Sequence, residues 1–138
     1  MLKLISIETR TANDAVLFIE AHVYVEKPAL RLTEHQAEQL LSTHPQLAEH
    51  ACRQLGVGRF GEKILAASLP HVLEHLAIDM LVGALGTQVA GTTKWLNRAE
   101  GLALVRLRLP ATESTEQELV ACVESAMNQL SQLVVADE

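Results

Sequence analysis

His71-Val72-Leu73-Glu74-His75 is the stretch of this sequence whose residue types and spacing could do chemistry. Two histidines four positions apart on a helix lie one above the other, near enough for two imidazole nitrogens to reach one zinc ion at about 2.0 to 2.1 Å. Glu74 lies between them on the same side. From there a carboxylate could take a proton from water that the ion acidifies, the general-base step of a metal-assisted hydrolysis. His-x-x-Glu-His reverses the better known His-Glu-x-x-His order and is the signature of the inverted zinc peptidases. Two histidines are half of a tetrahedral site, so a third ligand has to come from another element. Asp79 stands eight positions beyond His71, about 12 Å along a straight helix, too far for one ion to bridge both. Its expected part is to accept the remaining N–H of His75 one turn away and fix the tautomer of that ring. Glu49, His50, Glu62 and Glu100 are the candidates for the third ligand, and their spacing selects none of them. The competing reading has no ion: His71 and His75 are partly buried and hydrogen-bonded to Glu74, Asp79 or backbone groups.

Such a site needs a helix to carry it. Ser68-Leu69-Pro70 is a good helix start, with a capping serine and a proline in the first turn where no intrahelical bond is lost. The helix is expected to end at Gly83 or Gly86. With His71 set at zero, Glu74 falls at about 300°, His75 at about 40° and Asp79 at about 80°. The four polar residues thus form one strip, edged by Ile78 and Val82, that fits the floor of a cleft.

Around this helix the periodicity predicts a mainly antiparallel sheet of about four strands with helices packed on one side, an α+β arrangement. Leu2 to Ile7 alternates loosely, and Val16 to Ile19 runs into Ala21 to Val25, where β-branched and aromatic residues favour extended chain. A polar turn around Thr11 to Asp14 joins the two strands. Thr33-Glu34-His35-Gln36 has the capping-box pattern and opens a helix to about His44, after which Pro45 restarts the chain through Gln46 to Gln54. Gly56, Gly58 and Gly61 mark a turn. Thr87 to Trp95 is ambiguous, whereas Leu102 to Leu109 alternates and stops at Pro110, with Arg106 and Arg108 on one face. The last segment opens with Thr112, Ser114 and several acids and carries Leu119, Val123, Met127, Leu130 and Val134 on one stripe, an amphipathic helix of about twenty residues.

The 138 residues are expected to form a single domain with one core. Eleven Lys and Arg against seventeen Asp and Glu give a net charge of -6. With no basic run and one Trp and one Tyr, nucleic acid is not an expected partner. No apolar run reaches membrane-spanning length, and Met1 to Glu8 lacks the features of a secretory signal, so the expected compartment is the cytoplasm. Cys52 and Cys122 form no CxxC pair and read as core thiols. Assembly into a homo-oligomer is left open.

Pro45 to Cys52, with Glu49-His50 inside it, then Gly56 to Gly61, then Leu69 to Asp79 together resemble the amino-terminal domain of cyanophycin synthetase. The resemblance runs from the first strand to the strand at 102 to 109 and is strongest over His71 to Asp79. It implies a partner that composition does not suggest: cyanophycin, a poly-aspartate backbone with arginine joined to each side-chain carboxyl. In that family the domain precedes an ATP-grasp module and a Mur-ligase-like module, helps hold the polymer, and in some members cuts it into primers at a zinc-peptidase-like site. Carried over by position, His71 and His75 would be ligands and Glu74 the general base. The net acidic charge also suits a ligand rich in guanidinium groups. Both synthetase modules lie outside these residues, so ATP-dependent ligation is not expected of them. Val89 to Trp95 replaces the family's glycine- and arginine-rich stretch, and Arg108 stands where an acid is common. If that acid is a ligand or a contact to substrate arginine, the expectation becomes a non-catalytic module that binds polymer or docks a ligase. A structural or oligomeric domain without metal is the remaining reading.

Overall fold

The structure, a computed structural model, describes residues 1–52 and 58–135. Apolar alternation is strict where strands pair in the centre of the sheet. In β2 (Val16–Val25), Ile19, Ala21, Val23 and Val25 are buried, and in β6 (Leu102–Pro110), Ala103, Val105, Leu107 and Leu109 are. The register Ala21↔Val105 and Ile19↔Leu107 puts these side chains on one face. β1 (Leu2–Asn13) lies antiparallel to β2 on one side, and β5 (Ala90–Asn97) antiparallel to β6 on the other, giving the order β1-β2-β6-β5. The four-stranded antiparallel sheet is thus as the sequence predicts. β1 runs on past Ile7 to Asn13, and the ambiguous Thr87 to Trp95 resolves into the edge strand β5, whose position is decided by pairing with β6. Gly101, at φ 74°, closes the turn between β5 and β6; a Cβ there would lie 2.0 Å from the Val25 carbonyl oxygen, so only glycine lets the turn sit against β2.

The helices take the buried face. α1 (Glu34–Thr43) starts at Thr33 with both bonds of a capping box, Thr33 Oγ1 accepting from the Gln36 amide at 3.1 Å and Gln36 Oε1 from the Thr33 amide at 2.9 Å. α2 (Leu69–Leu85) starts at Ser68, whose hydroxyl accepts from the His71 amide at 3.3 Å, and ends on Gly86 at φ 66°. α3 (Glu116–Val135) opens with Glu116 and Glu118 and buries Leu119, Val123, Met127, Leu130 and Val134, the predicted stripe. Pro45 ends α1 and starts a 3-10 turn (Pro45–Glu49) in place of a longer segment. Beyond it come the short strands β3 (Ala51–Cys52) and β4 (Gly58–Arg59) and a second 3-10 turn (Phe60–Glu62). Gln54 and Gly56 lie outside the described residues.

α2 is buried from Leu69 to Ile78 on every side. The sheet covers one flank, α3 another, and His44, the Pro45–Glu49 turn and Phe60 a third. The polar strip expected to floor an open cleft is therefore enclosed. Among the described residues, no helix is long and apolar enough to cross a membrane.

Candidate metal centre

His71 and His75, one helical turn apart, bring their rings to 5.0 Å between centroids. The short strand β3 brings Cys52 to meet them, with Sγ 3.4 Å from His71 Nε2. One ligand atom from each of Cys52, His71 and His75 lies within 4.8 Å of the others, and all three residues are buried. In a tetrahedral zinc site with bonds of about 2.0 to 2.3 Å, neighbouring donor atoms stand about 3.3 to 3.6 Å apart. The Cys52–His71 separation has that value, and the donors are a thiol and two imidazoles, the set that suits a borderline-soft transition metal. Phe60 stacks on His75 at 4.1 Å and meets His71 edge-on at 5.6 Å, so an apolar wall closes the group on one side.

Glu74 points into the same interior and is 3 % exposed. Its Oε2 lies 3.8 Å from His75 Nε2, and its Oε1 accepts the Thr93 hydroxyl from β5 at 2.6 Å. Gly91 on β5 makes room for it: a Cβ at that position would come within 2.9 Å of Glu74 Cγ and 3.1 Å of Oε2. Burial pushes the Glu74 carboxyl up to about 7, against the Thr93 hydrogen bond, which favours the charged form. Burial likewise lowers His71 to about 4, with the Lys63 charge adding to it, and His75 to about 3, with His71 and His50 adding. Both rings are thus held neutral, the form that binds a metal.

The third-ligand candidates are dispersed. Glu49 is exposed and pairs with Arg59 at 3.1 Å, and Glu62 and Glu100 are exposed as well. His50 does reach the site, with its Nδ1 3.3 Å from His75 Nδ1, but it is not one of the three residues whose ligand atoms converge. Asp79 does not take the N–H of His75 directly, as the sequence suggests. Its oxygens meet His50 Nε2 at 3.4 Å and His44 Nδ1 at 3.3 Å, because His50 is inserted between the two residues of α2.

Cys52 is the member of this cluster that the sequence hides. Without a CxxC partner it reads as a core thiol, and it is buried; only its place two residues after His50 in an extended stretch, where alternate residues share a side, could have tied it to the histidines. Cys122 is half-buried on α3 and packs against the core. Arg108 alternates with buried Leu107 and Leu109 and pairs with Phe18 and Ala90, so it faces away from α2. A carboxylate at that position would lie on the opposite face of the sheet from His71 and His75, so Arg108 removes no ligand from this centre. No protein-family model matches the chain, and no curated protein does.

Proposed function

We propose that this chain binds zinc through Cys52, His71 and His75 and is a hydrolase of the inverted zinc-peptidase type, with Glu74 as general base. The observation that carries this reading is the convergence of a thiol and two imidazoles within 4.8 Å on the helix that also presents Glu74. When bound, the ion supplies Lewis acidity toward a carbonyl and acidifies water. The residues of the chain do the rest. Thr93 holds Oε1 of Glu74 and leaves Oε2 on the His75 side, from which the carboxylate can accept a proton from the attacking water and pass it to the leaving nitrogen. Phe60 and the surrounding apolar side chains keep bulk water away from that transfer. The likeness of Leu69 to Asp79 to the cyanophycin synthetase amino-terminal domain supports cyanophycin, or a related aspartyl peptide bearing arginine, as substrate.

A second reading, a module that binds polymer or a ligase partner without cleaving, is favoured by one observation: Glu74, His71 and His75 are each at most 4 % exposed, so a peptide bond reaches them only if the covering segment moves. Incubating the zinc-loaded chain with cyanophycin and with β-aspartyl-arginine separates the two. Hydrolysis that falls at least about 100-fold in Glu74→Gln, with zinc content unchanged, is the expected result. Equal activity in Glu74→Gln overturns the general-base assignment, and saturable polymer binding without cleavage selects the module.

A further inference from the structure

The contacts of His50, which lies between His75 and Asp79, determine which nitrogen of His75 keeps a free lone pair. Asp79 offers only acceptor oxygens, and Oδ1 lies 3.4 Å from His50 Nε2, so this nitrogen carries the hydrogen. In a neutral ring His50 Nδ1 is then a bare lone pair. It faces His75 Nδ1 at 3.3 Å, where a second lone pair would be repelled, so His75 carries its hydrogen on Nδ1. That leaves His75 Nε2, on the Glu74 side, as the nitrogen with a free lone pair.

We propose that Asp79 and His50 are positioning residues that select the Nδ1–H tautomer of His75 and so leave its Nε2 lone pair as the one free to bind an ion shared with Cys52 and His71. The ordinary arrangement places one carboxylate directly on a metal-ligating imidazole. Here the carboxylate lies one turn along the same helix and acts through an interposed ring from the preceding segment. The ring is itself anchored: the His50 carbonyl accepts from the Phe60 amide at 2.7 Å, next to the phenyl ring that stacks on His75. The carboxylate is anchored too, since its other oxygen meets His44 Nδ1 at 3.3 Å, and His44 Nε2 contacts Gln129 Oε1 of α3 at 2.7 Å. The chain of contacts from Gln129 to His75 therefore ties the tautomer to the docking of α3 and of the 44–52 segment on α2.

The tautomer assignment stands on these contacts alone, while its consequence for an ion rests on the zinc reading. The test uses both. Two-bond 1H–15N correlation spectra of the metal-free, 15N-labelled chain at neutral pH report the tautomer of His75 directly. Wild type is expected to show Nδ1–H, His50→Gln to keep it because the amide oxygen still accepts, and His50→Phe to change to Nε2–H. Zinc affinity, measured by competition with a chromophoric chelator, is expected to fall about 10- to 100-fold in His50→Phe and to recover to within a few-fold of wild type in His50→Gln. If His50→Phe does not fold, Asp79→Ala, altered at a partly exposed position on α2, is read the same way and is expected to lose the pure Nδ1–H signature. Nε2–H in wild type, or Nδ1–H unchanged in His50→Phe or in the Asp79→Ala that replaces it, overturns the proposal. Failure of wild type to bind zinc while the tautomer responds as expected overturns the zinc reading and leaves the positioning assignment standing.

Discussion

At the scale of single residues, three buried titratable groups on α2 draw the molecule's stability in opposite directions as pH changes. In the metal-free chain His71 and His75 titrate at about 4 and about 3, against 6.5 when exposed. Below pH 6.5 the unfolded chain therefore takes up protons that the native chain refuses, and stability falls on acidification. His50, lowered by burial despite Asp79, adds to the same loss. Glu74, raised from 4.5 to about 7, does the reverse: between those values the native chain holds a proton that the unfolded chain has released, so its contribution is present at low pH and is lost as pH rises through 7. Glu74→Gln removes that opposing contribution. Denaturant unfolding of chelator-treated protein between pH 4.5 and 6.5 should show a steeper acid loss in Glu74→Gln than in wild type, by about one proton, on the order of 1 kcal/mol per pH unit. Parallel slopes contradict the burial of a protonated Glu74.

At the scale of elements, the site depends on how closely β5 approaches α2. Gly91 has no side chain where Glu74 Cγ passes, and Thr93, two residues on and on the same face, donates to the carboxylate. Gly91→Ala forces either the strand or the Glu74 side chain to shift. The expected outcome is a fold retained at a cost of about 1 to 3 kcal/mol, zinc content unchanged, and hydrolysis reduced about 100-fold, since a general base displaced by about 1 Å loses its geometry. Thermal unfolding, elemental analysis and a turnover assay check the three parts, and unaltered turnover contradicts the role given to the strand. The strand itself was not legible in the sequence. Thr87 to Trp95 alternates weakly because β5 lies at an edge and most of its residues face solvent, so its place is set by β6 across the sheet. By contrast Thr33 with Gln36, Ser68 with Pro70, and the stripe from Leu119 to Val134 announce their helices through local capping and periodicity, and each is found as expected.

At the scale of the whole molecule, the centre assembles from segments far apart in sequence. Cys52 comes from β3, His71 and His75 from α2, and Thr93 from the sheet edge, with α3 bracing His44 through Gln129. The helical pair was legible because i and i+4 meet on any helix, whereas Cys52 is separated from His71 by a chain reversal that no local rule specifies. For the same reason the position of Arg108, on the far side of the sheet, follows from strand pairing and not from its neighbours in sequence. A metal that joins two such segments binds the native chain and not the unfolded one, so it is also a staple of the fold. The most direct test of this account is the zinc content of the purified chain by elemental analysis, beside Cys52→Ala and His75→Ala prepared in the same zinc-supplemented buffer. The account predicts about one zinc per wild-type chain and less than about 0.1 in either variant, because each removes one of three protein ligands. Less than about 0.1 in the wild type, or full occupancy in Cys52→Ala, contradicts it.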